Sequence, residues 1–208
     1  MARLSLRGLV LAPLLLAALP ATAADGEALA RIRARLDANP QLRADFVQTR
    51  RSPDLERPSV SRGRMLVWGR EGVVWETHQP VKGTVALRPD TTIVIDARGG
   101  RTARKAQDDA VAARIGRVLR ALLQGDTETL ERWFRVAAQS EGARWSITLT
   151  PHRGPLASFI ESMQVGGGEY LEAVDIREAG GESTRIEFGN HRAAAPLSES
   201  ERSLLGAP

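Results

Sequence analysis

The stretch that most restricts this chain is Gly63–Pro80, Gly-Arg-Met-Leu-Val-Trp-Gly-Arg-Glu-Gly-Val-Val-Trp-Glu-Thr-His-Gln-Pro. Two short runs, Arg64–Trp68 and Val73–Thr77, flank the turn Gly69-Arg70-Glu71-Gly72. Its two glycines permit positive φ without steric cost, as a hairpin turn requires. In extended chain alternate side chains share a face, so Met65 lies with Val67, and Val73 with Trp75 and Thr77. Leu66, Trp68 and Val74 point the other way. A half-solvated antiparallel strand alternates apolar with polar. This hairpin is apolar on both sides, so something must cover each face. A hairpin in the core of a plain β-sandwich is the simplest arrangement that meets the requirement.

The first 23 residues stand apart from the fold. Arg3 and Arg7 form a basic start, Leu9–Leu19 an apolar run interrupted by Pro13, and Ala21-Thr22-Ala23 an A-x-A cleavage site. The apolar run is shorter than the ~20 residues of a membrane span. The reading is an export signal, residues 1–23, followed by one domain, residues 24–208. About 185 residues are enough for a sizeable core. Without Arg3 and Arg7, 27 basic residues stand against 25 acidic ones, interspersed along the chain. That is a mixed solvated surface and not a stripe for nucleic acid. No cysteine is present, so neither a disulfide nor a cysteine-linked lipid anchor is expected.

From Asp25, a candidate N-cap, a helix is predicted with Leu29, Ile32 and Leu36 as a narrow apolar stripe, stopped by Asn39-Pro40. A stripe so thin fits a helix lying on a surface. Strands are predicted over Leu42–Thr49, the hairpin, Thr84–Arg88 and Thr91–Asp96, and Arg98–Asp108 reads as a polar loop. Asp109–Gln124 carries the clearest helical spacing, Val111, Ile115, Val118, Leu119 and Leu122, ended by Gly125. Asp126 can cap a short helix over Thr127–Trp133. The rest is β: Phe134–Ala138, Arg144–Thr150, Leu156–Val165, Tyr170–Arg177 and Ser183–Phe188, with Ser198–Leu205 as a frayed helical tail. About nine strands with helices between two strand-rich halves argue for an α+β domain, helices covering one face of a large curved antiparallel sheet.

Reaction chemistry leaves no trace. His78, His152 and His191 are scattered and lack an H-E-x-x-H spacing. There is no G-x-S-x-G elbow, S-x-x-K or phosphate-cradling loop, and Gly166-Gly167-Gly168 is not followed by a helix. The chain is therefore read as a non-enzyme with no catalytic residue, metal or cofactor.

Taken in order, several segments resemble the LolA family of periplasmic lipoprotein carriers: Asp45-Phe46-Val47-Gln48-Thr49 after the first helix, the Gly63…Trp75…Gln79-Pro80 hairpin, Leu122-Leu123-Gln124-Gly125-Asp126, and Trp145–Pro151. Val174-Asp175-Ile176 and Thr184–Phe188 continue the order, so the resemblance spans about Leu29 to Asn190. It implies an incompletely closed antiparallel β-barrel, a half-barrel sheet with a lid of α-helices over an apolar cavity. By the same resemblance Phe46, Met65, Val67, Val73, Trp75, Val85 and Leu87 would line the cavity. Leu29, Ile32 and Leu36, with Ile115, Val118, Leu119 and Leu122, would form the lid.

The implied activity is carriage of acyl chains. At about 0.8 kcal/mol per CH₂, a 16-carbon chain in water costs roughly 12 kcal/mol, so it crosses an aqueous gap only inside an apolar host. The resemblance implies a periplasmic, monomeric carrier that takes lipoprotein or glycolipid acyl chains from an inner-membrane donor to an outer-membrane acceptor. A lipid- or lipoprotein-sensing regulatory module of the same fold is the alternative, and a hydrolytic enzyme comes last. Where the family has a lid-locking arginine in the hairpin, this chain has Gly69, followed by Arg70. These two are the expected gating positions, with a lid that opens more easily. The family's aromatic strand after the hairpin and its last strand are also missing here.

Overall fold

The computed structural model describes residues 21–105, 118, 120–122 and 126–207. The expected export signal up to Pro20, and Ile115 and Leu119 of the expected lid, lie outside the described residues. The chain opens with helix α1, Ala21–Asp37. Six strands follow: β1 Gln41–Arg51, β2 Ser59–Trp68, β3 Gly72–Gln79, β4 Gly83–Leu87, β5 Thr91–Ile95 and β6 Arg101–Lys105. After a short helix α2, Thr127–Glu131, come β7 Phe134–Glu141, β8 Arg144–Pro151, β9 Ile160–Gly167, β10 Leu171–Glu178 and β11 Ser183–Ala193, and last α3, Glu199–Leu205.

All eleven strands join one antiparallel sheet in the order β6-β5-β4-β3-β2-β1-β11-β10-β9-β8-β7. Each half is a meander, and pairing of β1 with β11 joins them. The two edge strands, β6 and β7, do not pair, so the sheet is a half-barrel and not a closed barrel or a sandwich. Ten of the eleven strands overlap segments predicted to be strands, and one does not. The exception, β6, falls in the stretch Arg98–Asp108 that reads as loop. Arg-Thr-Ala-Arg-Lys has no apolar alternation because all five side chains are exposed, and only its backbone bonds with β5 make it a strand. Such a charged edge also discourages pairing with another chain. The expected strand from Leu156 starts instead at Ile160, after a single 3₁₀ turn Pro155–Ser158 in which Leu156 is buried.

Helix α1 begins four residues before Asp25, which is therefore interior to the helix and not its cap. Its apolar stripe, Ala28, Leu29, Ile32 and the half-buried Leu36, faces the concave side of the sheet. Arg31–Glu27 and Arg33–Asp37 pairs run along its solvated face. The helical residues Val118, Ala121 and Leu122 are buried in the same cluster. Asp126 caps α2 as expected, its carboxylate accepting from the Thr129 N–H at 3.1 Å and the Thr129 hydroxyl at 2.7 Å. Burial pushes the Asp126 carboxyl up, but those two hydrogen bonds and the charges of Arg33 and Arg120 outweigh it and hold it below its ordinary value.

The two-faced hairpin is explained by two separate clusters. Met65, Val67 and Val73 belong to the large concave core. Leu66 and Val74 join Ala86 and Ile93 in a second cluster on the convex face, under Leu197, Leu204 and Leu205. The segment read as a frayed tail is thus a fixed cover. Its helix, α3, has a capping box, Ser198 and Glu201 exchanging side-chain-to-backbone bonds, and ends at Gly206 in the left-handed region with φ 67°. Arg43 of β1 forms an ion pair with the Glu201 carboxylate, and the Arg88 Nε donates to the Leu204 carbonyl at 2.6 Å. Short amphipathic helices are recognised by what they cover, and the patch under α3 lies more than a hundred residues upstream, out of reach of any local pattern.

Candidate functional site: the concave face beneath helix α1

Register assembles the concave wall. Phe46 of β1 sits opposite Gly63 on one side and Phe188 on the other. Met65 faces Ala44 and Trp75, Val73 faces Val67 and Leu87, and Trp75 faces Val85. All seven residues expected to line a cavity therefore share one face of adjacent strands. Phe46, Met65, Val67, Val73 and Leu87 are buried, while Trp75 and Val85 are half-buried against them. The Trp75 ring stacks on Phe46 at 4.0 Å between centroids and meets Phe188 edge-on at 5.9 Å. Gly63 makes that stack possible, because a Cβ there would lie 2.8 Å from Cε1 of Phe46 and 1.8 Å from the Glu76 carbonyl oxygen.

The second half of the sheet continues the wall. Trp145, Ile147 and Leu149 of β8, Met163 and Val165 of β9, Val174 of β10, and Ile186 and Phe188 of β11 are all buried in the same cluster. These were legible as strands, yet none was expected to line the site. Their period-2 burial was the available signal.

Helix α1 lies on the concave side, closest to β7. Ile32 at its centre is fully buried, and Arg35 near its end donates to the carbonyls of Gly142 and Ala143 in the β7–β8 turn, at 2.7 and 2.8 Å. Just past the helix, the Pro40 carbonyl accepts from the Gly69 N–H at 2.6 Å, at the tip of the β2–β3 hairpin. The roof is thus tied to one hairpin tip by a guanidinium and to another by a backbone hydrogen bond. Of the expected lid residues, Leu29, Ile32, Val118 and Leu122 are buried and Leu36 is half-buried.

The two expected gating positions lie beside a cavity of about 520 Å³ between α1 and the hairpin tip. Leu36, Val67, Gly69 and Arg70 line it, with Arg33 and Arg120 opposite Asp37 and Asp126. Gly69 has φ 47°, a left-handed conformation. Arg70 is exposed and forms no hydrogen bond or ion pair with α1 among the described residues. The histidines stay apart: His152 Nε2 lies 3.1 Å from the Glu131 carbonyl, His191 Nε2 lies 2.8 Å from the Leu171 carbonyl, and His78 is 3.6 Å from Glu76. No helix among the described residues is long and apolar enough to cross a membrane.

An open antiparallel sheet, roofed on its concave side by a helix and lined there by apolar side chains, presents an apolar binding surface. The particular family is defined by sequence: the model for "Outer membrane lipoprotein carrier protein LolA-like" matches residues 18–204, and the chain belongs to that family. A solved structure agrees on the fold, and others are similar in outline. A putative outer membrane lipoprotein-sorting protein domain from Vibrio parahaemolyticus is 11% identical, with 89% of this chain and 99% of that one covered and a TM-score of 0.50. A DUF1329 family protein from Desulfovibrio piger is 13% identical, with 89% and 99% covered and a TM-score of 0.49. A LolA superfamily protein from Nitrosomonas europaea is 10% identical, with 83% and 96% covered and a TM-score of 0.46. No curated protein matches the chain.

Proposed function

We propose that this chain is a monomeric periplasmic carrier that receives the acyl chains of a lipoprotein or a related lipid on its concave face. It moves them from an inner-membrane donor to an outer-membrane acceptor. The observation that carries the reading is the apolar wall from Leu87 through Trp75, Met65 and Phe46 to Phe188, roofed by a helix whose own inward face is apolar. Family membership supports it.

In the empty protein the wall and the roof satisfy each other. Cargo enters when α1 and the neighbouring helical residues move off and acyl methylenes replace Leu29, Ile32 and Leu122 as partners of the wall. The exchange is close to neutral, since one apolar contact replaces another at about 25 cal/mol per Å². Near-neutrality is what a carrier needs, because a host that gained the full ~12 kcal/mol of a buried 16-carbon chain would never release it. The hairpin tip meets the roof through the backbone bond from Gly69 to Pro40, a contact that has to break or slide when the roof moves off.

Residues 1–23 direct export, and cleavage after Ala23 leaves α1 shorter by its first three residues with its buried stripe intact. No step requires a reacting group.

The test is a transfer assay. Protein incubated with donor membranes carrying a labelled triacylated lipopeptide should bring label into the soluble fraction and hand it to outer-membrane vesicles. Label that reaches the soluble fraction and stays there on addition of vesicles would favour a sensing module. No soluble label at all would overturn the carrier reading.

A further inference from the structure

Among the described residues, large exposed apolar side chains are not spread over the surface. The large ones among the described residues are Leu55, Val60, Val81, Val94 and Phe159, exposed by 36 to 63%. Topology puts all five at one rim of the half-barrel. Leu55 is in the β1–β2 connection, Val81 in the β3–β4 turn, and Phe159 immediately before β9. Val60 is the second residue of β2 and Val94 the second to last of β5, both at the ends that reach this rim. The opposite rim, made by the β2–β3, β4–β5, β7–β8 and β9–β10 turns, has none among the described residues.

The same rim carries unpaired positive charge. Arg51, Ser183, Arg177 and Ser162 are consecutive cross-strand partners on β1, β11, β10 and β9. Adjacent strands lie about 4.8 Å apart, so the backbones under the two arginines are roughly 10 Å apart with a serine between them. They open onto a groove of about 360 Å³ whose one carboxylate, Asp175, is already held by Arg185 at 2.7 Å. Neither Arg51 nor Arg177 forms an ion pair or side-chain hydrogen bond among the described residues, and both are exposed. The nearby Glu182 and Glu178 are taken by Arg50, at 2.6 and 3.8 Å. In the loops, Arg57, Lys82 and Arg153 stand two, one and six residues from Leu55, Val81 and Phe159. Asp96 is turned onto the N–H groups of Arg98 and Gly100, and Asp54, Glu56 and Glu161 are exposed acids beside the apolar tips.

The loop of Leu55 and the strand-start of Phe159 are held as one unit. Gly181 of the β10–β11 turn lies against Pro53, a Cβ there meeting its Cγ at 3.5 Å, and the Ala179 N–H donates to the Phe159 carbonyl at 3.1 Å.

We propose that this rim docks on an anionic phospholipid surface, Leu55, Val81 and Phe159 entering the acyl boundary while the Arg51–Ser183–Arg177 row takes a lipid phosphate. Paired guanidinium groups flanking a hydroxyl match a phosphate oxyanion, and apolar tips beside them match the bilayer just below it. The surface goes beyond the carrier reading: a carrier has to find membranes, but the docking rim stands or falls independently of what the concave face binds.

Flotation of the full chain with vesicles tests it. Vesicles of phosphatidylglycerol and phosphatidylethanolamine in equal parts should carry the protein upward, and phosphatidylcholine vesicles should not. Arg51→Gln with Arg177→Gln should weaken binding by roughly tenfold or more and flatten its salt dependence. Leu55→Ser with Phe159→Ser should weaken it by a similar factor while leaving the salt dependence in place. Arg144→Gln, at the opposite rim, should change nothing. All four positions are solvent-exposed, and each variant is checked for an unaltered circular dichroism spectrum. Calorimetry with inorganic phosphate separates the two sources of the anion: phosphate binding without flotation overturns the membrane assignment, as does flotation that is indifferent to both double variants. Uptake of a soluble fluorescent fatty acid should be equal in wild type and rim variants. A wild type that floats but takes up no fatty acid defeats the carrier reading and leaves the docking rim standing.

Discussion

Neutralising Glu201 should uncouple the convex-face helix α3 from the sheet in a way that depends on pH. The Arg43 guanidinium bonds the Glu201 carboxylate and, with the Ser198 N–H at 2.7 Å, outweighs burial and holds its pKa at about 2, against an ordinary 4.5. A depressed carboxylate contributes stability that is fully present above its unfolded value and is lost as pH falls toward its folded one. The window here is therefore about pH 4.5 down to 2. The full shift corresponds to roughly 3 kcal/mol at neutral pH. The side chains of Arg43 and Glu201 remain 20% and 14% exposed, so solvent screening brings the expected contribution to about 1–2 kcal/mol.

Glu201→Gln keeps the shape and a capping acceptor but removes the charge. Urea unfolding, followed by circular dichroism, should show the variant less stable than wild type by about 1–2 kcal/mol at pH 7, with the gap closing as pH approaches 2.5. A gap of zero at pH 7 would mean that α3 is a loose tail after all. A gap that stays constant with pH would mean that the loss comes from something other than the ion pair.

Three further outcomes follow from the geometry. Gly63→Ala should cost about 3 kcal/mol or more in the same unfolding assay, because its Cβ has to displace the Glu76 carbonyl or the Phe46–Trp75 stack; a loss under 1 kcal/mol would show that the close approach is dispensable. Gly69→Arg, which installs a guanidinium at the hairpin tip, should slow release of a bound lipid probe through new bonds of about 1 kcal/mol each, at a strain cost of similar size from φ 47°; an unchanged off-rate in a stably folded variant would sink the role given to this position. Intact-mass spectrometry of protein from the periplasmic fraction should give a chain beginning at Ala24, and a mass that includes Met1 would contradict the export reading.

What could be read from the sequence follows from how local each signal is. The concave wall was legible because Met65/Val67 and Val73/Trp75 alternate over a few residues, and period 2 needs no knowledge of the partner strand. The caps at Asp126 and the stop at Asn39-Pro40 were legible for the same reason. Strand β6 was not, since its five residues are held by backbone bonds to β5 that leave no mark on side-chain pattern. The convex cover was half legible: Leu66 and Val74 announced a second buried face, but nothing near them in sequence said that Leu197, Leu204 and Leu205 close it. The contribution of Ile147, Leu149, Ile186 and Phe188 to the concave wall was hidden in another way, because it depends on the β1–β11 pairing that joins the two meanders.

The central claim is that acyl chains lie against the concave face and nowhere else, and photolabelling tests it most directly. A long-chain fatty acid or lipopeptide bearing a diazirine on its acyl chain, bound to the protein and irradiated, should place its adducts on peptides containing Met65, Trp75, Val85 or Leu36. The signal should be competed away by unlabelled lipid. Adducts concentrated on Leu66, Ile93 or Leu204 of the convex cluster, or labelling that excess lipid does not reduce, would contradict the account.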